Sequence, residues 1–138
     1  MGKSIHEVMT PNPRTITAST PVIEAARIMK EEDIGSIPIV EGGRLSGMLT
    51  DRDIVLRAVA ERRDLQTTTA GEVSSSNIVT IDPDQSLDEA LHLMAQHQVR
   101  RLPVVEEDGH LVGILAQADA ALEGKEKKVG ETLEQISR

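Results

Sequence analysis

Residues 37–53 read IPIVEGGRLSGMLTDRD, and residues 102–119 read LPVVEEDGHLVGILAQAD. Placing Pro38 on Pro103 sets an offset of 65 residues, and that offset also pairs Ile16 with Ile81 and Met29 with Met94. Beyond the turn the offset becomes 66, because the second stretch carries one extra residue, Asp108; Gly47 then falls on Gly113 and Asp53 on Asp119. The chain is one unit written twice. A single copy of about 60 residues buries too little surface to be stable alone, so the copies are expected to pack on each other.

Within each copy the pattern alternates between helix and strand. Ser4-Ile5-His6-Glu7 has the S-x-x-E form of a capping box, and Thr69-Ala70-Gly71-Glu72 repeats it. The β-branched runs Thr15-Ile16-Thr17 and Val79-Thr80-Ile81 read as short strands. Val22, Ala25, Ala26 and Met29, and likewise Leu87, Ala90, Leu91 and Met94, stand at i, i+3, i+4, i+7, the stripe of an amphipathic helix. Thr20 with Pro21 starts the first of these helices and Ser86 with Glu89 the second, while Gly35 is read as the first one's C-cap. Two strands then flank Gly42-Gly43 in one copy and Asp108-Gly109 in the other, residues that accept the positive φ angles of tight hairpins. A helix closes each unit, near Asp51–Glu61 and Gln117–Leu122. The expected fold is α/β (α+β): residues 4–62 form the first repeat, 63–68 an exposed polar linker and 69–123 the second repeat, related to the first by a pseudo-two-fold. Residues 124–138 form a charged tail, with Lys125–Lys128 solvated and Val129, Leu133 and Ile136 on a short helical stripe.

Composition narrows the function. The 138 residues include no Phe, Tyr, Trp or Cys and carry a formal net charge of -8. Aromatic stacking platforms and a basic face are both missing, which argues against a nucleic-acid partner. No disulfide framework or thiolate chemistry is available, and no apolar run approaches a membrane span, so a cytoplasmic protein without a membrane partner is expected. The four histidines, His6, His92, His97 and His110, fall at no metal-ligand spacing. No nucleophile–base arrangement emerges from the order of residues, so neither catalytic nor metal residues are assigned and the chain is read as a non-enzyme.

One segment invites a ligand. Thr50-Asp51-Arg52-Asp53 stands where a strand ends and a helix begins. Free N–H groups at such a helix start suit a phosphate, Thr50 adds a hydroxyl, and Asp53 can accept hydrogen bonds from ribose hydroxyls. The same spacing also fits a purely structural cap, and spacing alone leaves both readings open.

Together GSIPIV…GMLTDRD and its echo RRLPVV…GILAQAD resemble the CBS domain, and two copies in tandem resemble the CBS pair, or Bateman module. HQVRRLPVV, TDRDIV and TTTAGEV are similar to stand-alone bacterial CBS pairs of the hypoxic response protein type. The resemblance implies a regulatory module with clefts between its repeats for AMP, ADP, ATP or S-adenosylmethionine, no required cofactor, and a homodimer formed through its helices. In the first cleft it assigns the base to Thr15, Ile16, Ile37 and Pro38, and ribose and phosphate to Thr50 and Asp53. The second cleft, with Thr80, Ile81, Leu102, Pro103 and Asp119, is expected to be weaker: Ala116 replaces Thr50, so phosphate would fall to Arg100 or Arg101. The alternative is a ligand-free structural or protein-interaction CBS-pair homodimer, whose dimer surface or surface for an unidentified protein partner is the function.

Overall fold

A computed structural model describes residues 3–123; the charged tail and helical stripe expected over 124–138 lie outside the described residues. The elements run α1 (Ile5–Val8), β1 (Thr10–Pro11), α2 (Val22–Glu32), β2 (Ser36–Glu41), β3 (Arg44–Thr50), α3 (Asp51–Ile54), α4 (Ala70–Val73), α5 (Leu87–His97), β4 (Arg101–Val105) and β5 (Leu111–Ala116). A π turn, Val55–Val59, follows α3, and residues 117–123 form a last helix, α6. Mixed helices and small sheets, with the repeat order intact, give the α/β class expected.

The described residues fall into two compact units, one of 13–78 with 108–111 and the other of 3–12, 79–107 and 112–123. In the first unit β2 and β3 pair antiparallel, from Ser36 opposite Thr50 to Glu41 opposite Arg44. Ile16 joins β2 through a single parallel bridge to Ile39, where a strand over 15–17 was expected. Thr17 bends the chain away from pairing, its N–H donating to Thr20 Oγ1 at 3.2 Å. The core is Ile16, Val22, Ala25, Ile28, Met29, Ile37, Ile39, Leu49, Ile54, Ala58, Ala70 and Val73. In the second unit the sheet order is β1-β5-β4, with Ile81 bridging Val104, again one parallel bridge in place of a strand. Its core is Ile5, Met9, Ile81, Ala90, Met94, Leu102, Val104, Leu115 and Ala120. Without aromatic rings, both cores rest on close packing of branched aliphatic chains and Met.

Four local expectations are corrected. The residue that ends α2 is Asp33, at φ 53°, and its counterpart after α5 is Gln98, at φ 55°; Gly35 is not the cap. The left-handed step must come directly after the last turn, so that the N–H groups of Asp33 and Ile34 can reach the Met29 carbonyl, and Gly35 lies two residues too late. The Thr69 side chain makes no capping hydrogen bond: the Glu72 N–H donates to the Thr69 carbonyl at 3.1 Å, and the Glu72 carboxylate pairs with Arg63 at 3.0 Å. Thr20 does not cap α2: the cap position is Pro21, and the Val22 and Ile23 N–H groups donate to the carbonyls of Thr68 and Leu65, each at 2.9 Å. The linker is therefore not a free polar loop. Thr68 is buried and Leu65 packs against the core, because these residues satisfy the start of α2.

The hairpins behave as their turns dictate. Gly42 and Gly43 both take positive φ, 58° and 81°, as a two-residue hairpin requires. In the longer second turn only Gly109 does so, at φ 94°. The extra residue, Asp108, accepts from the His110 N–H at 3.1 Å and bonds His110 Nδ1 at 2.8 Å. The His110 backbone N–H and then its ring hold the Asp108 carboxyl below the usual carboxylate range.

Gly113 is required by close approach: a Cβ there would overlap Met9 Sδ and lie 2.9 Å from the Thr10 carbonyl oxygen. Gly113→Ala is expected to lower the thermal midpoint by roughly 5–10 °C, the range for overpacking a chain of this size. Gly47→Ala, whose Cβ would lie 3.3 Å from the Ser75 carbonyl oxygen, is expected to cost less. Circular dichroism melts of both variants check this, and equal midpoints would contradict it.

Candidate functional site

The residues singled out in the first copy lie on three neighbouring pieces of backbone. Ile16 donates its N–H to the Pro38 carbonyl at 3.0 Å and accepts from the Val40 N–H at 2.9 Å. On the other edge of β2, Ser36 faces Thr50, the last residue of β3. Thr15, Ile16, Ile37, Pro38, Thr50 and Asp53 therefore belong to one ribbon and the helix that leaves it. Their side chains do not share one environment. Ile16 and Ile37 are in the core and Pro38 is buried, whereas Thr15, Thr50 and Asp53 are half-buried. The apolar members shape the wall from behind, and the polar members reach its surface.

Thr50 and Asp53 cap α3 reciprocally. The Asp53 N–H donates to Thr50 Oγ1 at 3.1 Å, and the Thr50 N–H donates to Asp53 Oδ2 at 3.0 Å. The next two N–H groups are used as well: Asp51 donates to the Gly35 carbonyl at 2.9 Å, and Arg52 to Asp51 Oδ1 at 2.8 Å. This corrects the expectation of free helix-start N–H groups open to a phosphate. The four donors from Thr50 to Asp53 are already satisfied within the chain. What stays uncommitted is the Thr50 hydroxyl proton and Asp53 Oδ1, which accepts no hydrogen bond from the described residues.

Gly35 and Asp51 lie beside this candidate site; the sequence analysis takes Gly35 for a helix stop and gives Asp51 no role of its own. A Cβ on Gly35 would stand 3.2 Å from Asp51 Oδ2, so the absence of a side chain makes room for that carboxylate. The signal was present in the repeat, since Gly35 aligns with Arg100 and Asp51 with Gln117.

The second copy repeats the backbone and changes the side chains. Ile81 donates to the Pro103 carbonyl at 3.0 Å and accepts from Val105 at 2.9 Å, and Gln117 donates to the Arg100 carbonyl at 2.7 Å. Ile81, Leu102 and Pro103 are buried, while Thr80, Arg100, Arg101 and Asp119 are exposed. Ala116 has no hydroxyl with which to complete a box with Asp119. Among the described residues no three His, Asp or Glu side chains come together in a group that could hold a metal ion. No helix among them is long and apolar enough to cross a membrane.

Comparison with known proteins gives a consistent family. The CBS domain matches residues 5–59 and again residues 70–123. The Bacillus subtilis CBS domain-containing protein YhcV is 45% identical over 135 residues, 97% of this chain and 95% of its own. A crystal structure of Hypoxic Response Protein I with two coordinated zinc ions has a TM-score of 0.78 at 41% identity, covering 86% of this chain and 97% of that one. The CBS domain pair of protein MJ0100, in complex with 5′-methylthioadenosine and S-adenosyl-L-methionine, has a TM-score of 0.80 at 26% identity, covering 92% of this chain and 99% of that one.

The unequal caps yield a stability prediction. Thr50→Ala is expected to cost about 1 kcal/mol, while Ala116→Thr, which completes the missing box with Asp119, is expected to add a similar amount. Urea unfolding monitored by circular dichroism reads both, as midpoint shifts of opposite sign at constant slope.

Proposed function

Because the chain belongs to the CBS-domain family, we propose that it is a cytoplasmic regulatory module that binds an adenosine compound of the AMP, ADP, ATP or S-adenosylmethionine class. The observation that carries this reading is the half-buried pair Thr50 and Asp53, each fixed by one capping bond and each keeping one hydrogen-bonding function unspent among the described residues. Asp53 Oδ1 accepts from the 2′ and 3′ hydroxyls of a ribose, as carboxylates do in dinucleotide sites, and the Thr50 hydroxyl donates to the ligand's 5′ side. Ile16 spends both backbone groups on Pro38 and Val40, so the alternation of a strand turns those of Thr15 to the opposite edge. That edge reads the adenine, backed by the buried Ile16, Ile37 and Pro38. The ligands named for the MJ0100 pair support this class. The equivalent site of the second copy, with Thr80, Ile81, Leu102, Pro103 and Asp119, lacks the hydroxyl and is the weaker of the two; Arg100 and Arg101 stand near its helix start.

The module acts as a homodimer and signals through a protein partner. The π turn leaves Val55, Leu56 and Val59 about half exposed, at 54%, 47% and 52%, a larger apolar strip than a short solvent-facing turn needs. A second copy covers it. Sedimentation velocity is expected to show a dimer for the natural chain and a monomer for Val59→Asp; a monomeric natural chain would remove this part of the reading.

Ligand binding is tested by calorimetry with AMP, ATP, S-adenosylmethionine and 5′-methylthioadenosine. At least one should bind, and Asp53→Asn, which keeps an acceptor for the Thr50 N–H but loses the charge, should weaken it about tenfold or more with an unchanged circular dichroism spectrum. Absence of binding across the panel would leave a ligand-free interaction module in its place.

A further inference from the structure

We propose that Met48 is a reversible oxidation site: a peroxide converts its thioether to the sulfoxide, and the ribbon face that Met48 shares with Pro38 and Thr50 becomes more polar. Its reactivity is independent of the adenosine reading, because no ligand takes part in it.

Composition leaves methionine to carry such chemistry. The chain has no Cys, Trp or Tyr, so its thioethers are the side chains a peroxide oxidises most readily. The described methionines differ in exposure. Met9, Met29 and Met94 are buried, at 6%, 7% and 1%, each inside one of the two cores. Met48 is half-buried and belongs to neither core. Its place in β3 accounts for this. Gly47 and Leu49 are buried, and strand alternation sends Met48 to the opposite face, with Thr50. Across the ribbon it stands directly opposite Pro38, so the two side chains meet on that face. Its backbone is held from the other edge: the Met48 N–H donates to the Ser75 carbonyl at 3.0 Å, and the Met48 carbonyl accepts from the Ser75 N–H at 3.1 Å. Oxidation therefore changes the side chain and leaves the strand in place.

With hydrogen peroxide, Met48 Sδ attacks one peroxide oxygen. An S–O bond forms as the O–O bond breaks, the sulfur gives up two electrons, and the second oxygen leaves with both protons as water. The product carries a polar oxygen where an apolar chain met the buried Pro38, and a polar group kept from water without a partner is costly. The second copy serves as an internal contrast. Ile114 stands at the place of Met48, is half-buried too, and pairs with Thr10 as Met48 pairs with Ser75. Met29 and Met94 occupy equivalent places and fill the two cores, whereas the thioether of Met48 has no counterpart. The frame accepts a branched aliphatic chain at this position, so the fold does not require a sulfur there.

Treatment of the full chain with hydrogen peroxide tests this. Met9, Met29, Met48 and Met94 fall on separate tryptic peptides, so mass spectrometry follows each sulfoxide by itself. Met48 is expected to oxidise severalfold faster than the other three, and methionine sulfoxide reductases are expected to restore it. Once Met48 is oxidised and the other three are not, the circular dichroism midpoint is expected to fall by about 3–5 °C. Met48→Ile, given the same dose, is expected to hold its midpoint; Met48→Leu, close to methionine in volume, supplies the same control if the branched chain folds poorly. Met48 oxidising no faster than the buried three, a sulfoxide the reductases leave in place, an unchanged midpoint, or an equal fall in the variant would each overturn the proposal.

Discussion

Two hydrogen bonds between Thr50 and Asp53 fix the point where β3 stops and α3 starts. The placement of Ile54 and Ala58 in the core depends on that start, because a helix entered one residue early or late would turn a different face inward. The same two bonds set the direction in which the Thr50 hydroxyl and the free oxygen of Asp53 point. Under the proposed adenosine reading, structural and functional roles are therefore not alternatives at these residues. A capping box commits one hydrogen-bonding function of each partner, and what remains is held rigid, as a binding group needs to be.

The two copies show how a repeat diverges without losing its frame. Backbone bonds recur almost atom for atom: Ile16 to Pro38 and Ile81 to Pro103, Asp51 to Gly35 and Gln117 to Arg100. These bonds involve groups every residue carries, so substitution leaves them alone. The side chains placed on that frame are free to differ, and they differ where a ligand would touch: Thr50 against Ala116, Asp51 against Gln117, Gly35 against Arg100. The asymmetry lies in charge and hydroxyl content, not in the path of the chain.

Much of this was legible in the sequence because it rests on local chemistry. Period identifies α2 and α5, Ser86 the start of α5, Gly-Gly the first hairpin, and the 65-residue echo the repeat. Most of what escaped needed a second segment to be seen. Gly35 looks like a helix stop until Asp51 is placed 3.2 Å from its missing Cβ. The linker looks polar and exposed until the carbonyls of Leu65 and Thr68 are found holding the first N–H groups of α2. The N–H groups after Thr50 look available until each acceptor is named. Gly35 and the linker need a second segment to be understood, whereas three of the four acceptors at the start of α3 lie within residues 50–53 and only the Gly35 carbonyl comes from elsewhere.

A crystal structure of the chain grown with 5′-methylthioadenosine would test the central claim most directly. Density for the ribose is expected within hydrogen-bonding distance of Asp53, with the Thr50–Asp53 capping bonds intact. Density confined to the Asp119 site, or a Thr50–Asp53 pair unchanged and bare at saturating ligand, would contradict it.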